Sequence, residues 1–327
     1  PALVRAPSMP PIAAPPLPPT RFIFFMGGGG MGKSSCAAAA AVTLTEKEGP
    51  VLLLSTDPSH SLSDVLVSRL TDTETQVKGT KGLYAREIDF VTWYANFKKK
   101  LKELAEPIFG PEAKGEAFAQ DREVFRNLFD LAPAGMDELA AMTALTDALV
   151  QERFKRIVID PAPAGNSLRV LEVPAIAKAW FQAILAIATK YKNKGGQALM
   201  TWCEGQIKHV ERFEKALLNP AECRFVVVTR GEELGIPQAE RQVEYLKAKK
   251  LPFERVLVNR VLPKTTCAVT EERRKNQLEV AKVIEKKMGF PVTLAPELGR
   301  HPASLRALKE FRTSWYAMTP TAKIKAA

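Results

Sequence analysis

Gly27, Gly32, Lys33 and Ser34 stand at the spacing G-x-x-x-x-G-K-[ST], with Gly28, Gly29, Gly30 and Met31 between them and Ser35 following. Residue types in this order can hold a chain of phosphates. Small residues let backbone N–H groups wrap the phosphate oxygens, a lysine reaches the β and γ groups, and a hydroxyl at the next position ligates Mg²⁺. An apolar run, Phe22 to Met26, precedes the loop and an Ala-rich run, Ala37 to Leu44, follows it, so the loop joins a strand to a helix. The positive end of that helix dipole then faces the phosphates. A plain glycine-rich turn would not require Lys33-Ser34 at that offset.

Carboxylates recur at the ends of similar apolar runs. Val51 to Thr56 leads into Asp57, and Arg156 to Ile159 ends in Asp160; Phe225 to Thr229 and Val256 to Asn259 have the same form. Short continuous apolar runs read as strands of a parallel sheet buried on both faces, and the helical patterns between them complete βα units. The expected fold is therefore α/β, a P-loop NTPase with a mostly parallel sheet flanked by helices and with ligand groups at the strand C-termini. Two stretches, roughly 91–150 and 174–219, break the alternation and carry helical apolar spacing instead. They are expected to form an inserted helical subdomain within a nucleotide-binding domain spanning 21–315. Ala179 to Ile187 is apolar on nearly every side, which suits either a buried core helix or a hydrophobic client surface.

With 327 residues, 46% of them hydrophobic, the chain can bury a sizeable core. It has no apolar run near the roughly 18 residues of a membrane span. Residues 1–20 contain eight prolines and read as a disordered arm, with 316–327 a tail. Cys36, Cys203, Cys223 and Cys267 stand singly, which argues against a zinc site and for a reducing, cytoplasmic setting. A net charge of +11 admits an acidic partner, but the basic residues are interleaved with Glu along helical segments and read as solvated helix faces. His60, His209 and His301 have no metal-ligand spacing and read as structural.

Further segments carry a resemblance to a family. Asp57-Pro58-Ser59-His60-Ser61-Leu62-Ser63-Asp64 and Asp160 to Leu171 resemble the two switch segments of the ArsA family, which includes the arsenite-pump ATPase and the ATPase that targets tail-anchored membrane proteins. Pro133 to Glu138, Arg230 to Leu246 with Glu240-Arg241, Val258-Asn259 to Pro263, and Leu294 to Gly299 with Leu305-Arg306 are similar to later family segments, so the likeness spans about 21–311. The resemblance implies a dimeric Mg·ATP-dependent ATPase that handles a hydrophobic membrane-protein client or membrane partner. By the same likeness Asp57 activates or orients the attacking water, Lys33 stabilises the developing phosphate charge, Ser34 binds Mg²⁺ directly and Asp160 through water, Asn259 contacts adenine, and the segment with Pro296 closes over the base. Each Asp could instead cap a following helix.

The chain also departs from the family. A lysine that the family places at position 28, and sends across its dimer interface to the partner's phosphates, is Gly28 here; Pro161, Ala164 and Asn166 replace Thr, Thr and His. The isolated homodimer is accordingly expected to be slow, or the subunit to pair with a lysine-bearing ArsA-like homologue, or to bind ATP without hydrolysing it. The eukaryotic zinc clip and any arsenite-binding cysteine cluster are absent. A ParA/MinD-like positioning ATPase is the alternative; the short, weakly apolar C-terminus does not suit membrane attachment, and nucleic acid is the less favoured partner.

Overall fold

The computed structural model describes residues 14–57, 61–109, 123, 136–150, 152–162 and 173–318. Nine strands form one sheet among them: β1 (Phe22–Gly27), β2 (Val51–Ser55), β3 (Thr75–Gln76), β4 (Leu83–Glu87), β5 (Arg156–Asp160), β6 (Cys223–Arg230), β7 (Phe253–Val261), β8 (Val292–Pro296) and β9 (Tyr316–Ala317). Their order is β3-β4-β2-β5-β1-β6-β7-β8-β9, parallel from β4 to β8, with antiparallel β3 and β9 at the edges. The expected α/β sheet is thus observed. β1, β2 and β5 are buried at every position, which is why they read as continuous apolar runs rather than alternating ones.

Helices α1 (Lys33–Glu48), α2 (Ser61–Leu66), α7 (Gly235–Ala248), α8 (Ala268–Met288) and α9 (Leu305–Thr313) belong with the sheet. Ala37 to Ala41 of α1 are fully buried; their methyl side chains let the helix pack closely against the sheet core. A second compact unit is helical: α3 (Phe90–Phe109), α4 (Met136–Val150), α5 (Val173–Lys190) and most of α6 (Gln197–Leu218). Its core is aromatic. Phe97 packs on Trp93, Trp180, Phe181 and Trp202, with centroids 4.9 to 6.5 Å away.

Residues 14–20, placed in the disordered arm by composition, lie against the sheet unit. The carbonyl of Pro18 accepts from the Arg156 guanidinium and that of Pro15 from Arg312, while Leu17 packs on the core. Burial, with Arg255 adding repulsion, lowers the Arg312 pKa to about 10. The proline run reads as disorder because its partners are two arginines far away in sequence. Tyr316–Ala317, assigned to the tail, pair with β8 as β9. Residues 1–13 and 319–327 lie outside the described residues.

Candidate active site

β1 ends at Gly27 and α1 begins at Lys33, so the Gly28–Gly32 loop sits at the C-terminal end of the sheet's central strand. Gly27 has no room for a side chain, since a Cβ would come 2.6 Å from the Val228 carbonyl. Gly32 is doubly constrained: its φ is +86°, and a Cβ would meet Asn259 Nδ2 at 2.3 Å. The first turn of α1 has no side-chain cap and no acidic residue. Its N–H groups are therefore open to an anion.

The loop's carbonyls, by contrast, are engaged. Lys33 Nζ, on a buried side chain, donates to the Gly28 carbonyl at 3.4 Å. Asn259 Nδ2 donates to the Met31 carbonyl at 2.9 Å, and an Arg230 guanidinium N–H to the Gly30 carbonyl at 2.7 Å. Arg230 and Asn259 are register partners on β6 and β7, so neighbouring strand ends hold consecutive loop residues.

Asp160 is the last residue of β5, fully buried, and neither of its carboxylate oxygens has a hydrogen-bond partner. Burial pushes its pKa up to about 7; Lys33 and the Ser34 hydroxyl pull it back, and Asp57 and Glu87 add to the rise. Asp57, two residues beyond β2, is also buried, with its N–H on Ser55 Oγ at 3.1 Å. The Thr56 N–H donates to the Asp160 carbonyl at 3.0 Å, tying the two strand ends together. Ser34 Oγ shares a 2.8 Å hydrogen bond with Ser61 Oγ at the start of α2. A buried pair of orphaned carboxylate oxygens beside a lysine and a serine hydroxyl suits a hydrated divalent cation. Among the described residues no cluster of His, Cys, Asp and Glu suits a transition metal.

Above Gly32 and Ser35 lies a cavity of about 270 Å³ lined by Asn259, Arg260, Pro296, Arg300, His301 and Phe311. Asn259 and Pro296 are thus brought together next to the loop. Arg260 adopts φ 57°, a left-handed conformation uncommon for a side-chain-bearing residue, where the β7–β8 register shifts. Gln277 of α8 pins that irregularity through the Leu262 N–H and the Arg260 carbonyl. Sequence reasoning missed Gln277 and gave Arg230 no role within the Arg230 to Leu246 segment; His301, read as structural, has its Nε2 3.2 Å from Ser35 Oγ. It also missed Glu87, which accepts from the Ser63 N–H and Oγ and anchors α2. Glu240 pairs with Lys287 at 2.6 Å, on an exposed surface. His60, Ala164 and Asn166 lie outside the described residues.

The chain matches the anion-transporting ATPase family, ArsA, over residues 20–316. It belongs to the ArsA family. Curated relatives include an ATPase ASNA1 homolog of Dictyostelium discoideum, 27% identical over 83% of this chain and 82% of that protein. ATPase get3 of Schizosaccharomyces pombe is 26% identical over 83% of each chain. ATPase asna-1 of Caenorhabditis elegans is 27% identical over 69% of this chain and 70% of its own. This ArsA-family chain is therefore an ATP-binding ATPase. No helix among its described residues is long and apolar enough to cross a membrane.

Proposed function

We infer that this ArsA-family ATPase hydrolyses Mg·ATP at the Gly27–Ser35 loop, works as a dimer in the cytoplasm, and couples nucleotide turnover to handling a hydrophobic membrane-protein segment. The observation that carries the nucleotide part is the pairing of an uncapped α1 N-terminus with the orphaned, buried Asp160 carboxylate. Both are costly unless a ligand meets them.

Bound Mg²⁺ would neutralise phosphate charge, held by the Ser34 hydroxyl and, through water, by Asp160. The chain's own work is positional. Loop N–H groups and Lys33 stabilise charge on the transferring phosphoryl group, which is most of what phosphoryl transfer requires. Asp57 orients the water, and Glu87 holds α2, and with it Ser61, against Ser34. The cavity lined by Asn259 and Pro296 would take the base.

The client reading is supported by the second unit. Trp93, Trp180 and Trp202 are only half-buried around Phe97, while Val91 on α3 and Ile176 on α5 are exposed. Aromatic and aliphatic side chains left near the surface of a helical unit suit an apolar helix. The excess of basic residues is partly neutralised on helix faces, as in Lys178–Glu211, Arg274–Glu271 and Lys282–Glu279. Purified protein is expected to bind an uncharged apolar helical peptide with a change in tryptophan fluorescence, and Trp180→Ala with Trp202→Ala should weaken this about tenfold or more, in line with aromatic anchors at interfaces. Salt-sensitive, ATP-dependent retention of DNA with no peptide binding would instead support the positioning-ATPase alternative.

A further inference from the structure

Three buried hydrogen-bond donors of the sheet unit have no acceptor: Arg255 Nε, Arg312 Nε and Trp315 Nε1. They come from β7, from α9 and from the residue before β9, yet all three side chains line one small cavity, about 10 Å³, that Pro15 to Pro18 also line. Arg312 and Trp315 are 5% and 3% exposed, and the Arg312 guanidinium lies over the Trp315 ring, 4.7 Å from its centroid. Apart from Thr293, the sheet side chains that complete the lining are apolar: Phe25, Val226 and Leu257.

Charge at the cavity is as one-sided as hydrogen bonding. Glu254 is shared between Arg224 at 3.4 Å and Arg255 at 3.0 Å, and no carboxylate offsets the burial of Arg312, which Arg255 repels. The acceptors nearby are already engaged: the Pro15 carbonyl takes one Arg312 N–H, and Thr293 Oγ1 stands 3.5 Å from Arg255 Nη1. A buried guanidinium is costly to keep in such a place without a counter-charge.

The size and chemistry of this space select its occupant. About 10 Å³ holds one particle of roughly water size, which excludes phosphate, sulfate and carboxylates. A water accepts from two donors at most and must place two protons of its own, whereas here three donors compete and free acceptors are lacking. A halide has no protons to place, accepts from several directions and carries the missing charge. We propose that this cavity is a chloride site, with the ion accepting from Arg255 Nε, Arg312 Nε and Trp315 Nε1 and covered by Pro15 to Pro18. The ion ties the proline-rich segment to α9 and β7. It stands apart from the nucleotide, since its cavity shares no lining residue with the Gly27–Ser35 loop or with the cavity beside Asn259.

The test follows thermal unfolding of the nucleotide-free full chain as chloride replaces gluconate at fixed ionic strength. Chloride at about ten times its Kd should raise the folding equilibrium constant about elevenfold, an upward shift in Tm of about 2–4 °C, and bromide should act alike. Trp315→Phe removes one donor and keeps the ring beneath Arg312, so it should weaken chloride binding about tenfold or more, as loss of a hydrogen bond to a charged group does. Arg312→Met removes both a donor and the charge and should abolish the response. Both variants carry the general salt effect of the wild type, so the difference between them and the wild type isolates the site. Should Arg312→Met fail to fold, Trp315→Phe still decides, together with crystals of the wild type grown in bromide, which should show an anomalous peak in this cavity. A chloride response as large in Trp315→Phe as in the wild type, no anomalous peak between Arg312 and Trp315, or a response lost only in Lys33→Ala, which would place the halide in the phosphate loop, would each overturn the proposal.

Discussion

Asp57→Asn should bind Mg·ATP with nearly wild-type affinity and turn it over 10²- to 10⁴-fold more slowly, the range for a group that takes part in proton transfer or water activation. The substitution is nearly isosteric, and the Asp57 N–H keeps its bond to Ser55 Oγ, so the β2 exit should hold its shape. What changes is the negative charge and basicity with which the side chain accepts from an attacking water. Such a contact strengthens in the transition state and contributes little to ground-state binding, so kcat falls while Kd does not. Paired affinity and single-turnover measurements decide this. Equal losses in both would assign Asp57 to a cap or to the cation site.

Asp160→Asn should do the reverse to stability and function. The wild-type carboxylate is fully buried with neither oxygen paired, and burial pushes its pKa up to about 7. The fold thus disfavours the ionised form, and above about pH 7 each folded chain carries that penalty while the unfolded chain does not. Removing the charge should raise the nucleotide-free Tm at about pH 8. The gain is offset in part by an unpaired buried amide, which costs about 1–3 kcal/mol. It should shrink as the pH falls from about 7, below which the wild-type folded carboxyl is neutral, to about 4, where the unfolded carboxyl becomes neutral as well and the difference vanishes. Turnover should drop by about 10²-fold or more with loss of the Mg²⁺ requirement in ATP binding, as befits a site whose local cost is met by its ligand. A variant that is both less stable without nucleotide and still Mg²⁺-dependent would make Asp160 a structural residue.

The loop from Gly27 to Ser34 was legible because its chemistry is contiguous: glycines, a lysine and a hydroxyl at fixed offsets between a strand pattern and a helix pattern. The buried strands were legible too, since strands covered on both faces read as unbroken apolar runs. The clasp around the loop was not. Asn259 and Arg230 reach Met31 and Gly30 from about 200 residues away in sequence or more, through a register set by β6 and β7. Glu87 on Ser63 and His301 beside Ser35 are likewise products of strand order, and no local pattern marks them. Residues 14–20 of the proline-rich segment misled for a related reason. Composition predicts an arm without internal hydrogen bonds, but two buried arginines elsewhere in the fold accept that role from outside, binding the Pro15 and Pro18 carbonyls.

Thermal unfolding of the wild type and Lys33→Ala, with and without Mg·ATP, tests the Gly27–Ser35 loop most directly. Lys33 is buried at the start of α1 and is the cation that the loop closes around. ATP at 100 times its Kd should stabilise the wild type by about 2.7 kcal/mol, a shift of several degrees, and the variant not at all. A Lys33→Ala chain raised by Mg·ATP as far as the wild type would contradict the assignment of this loop as the nucleotide site.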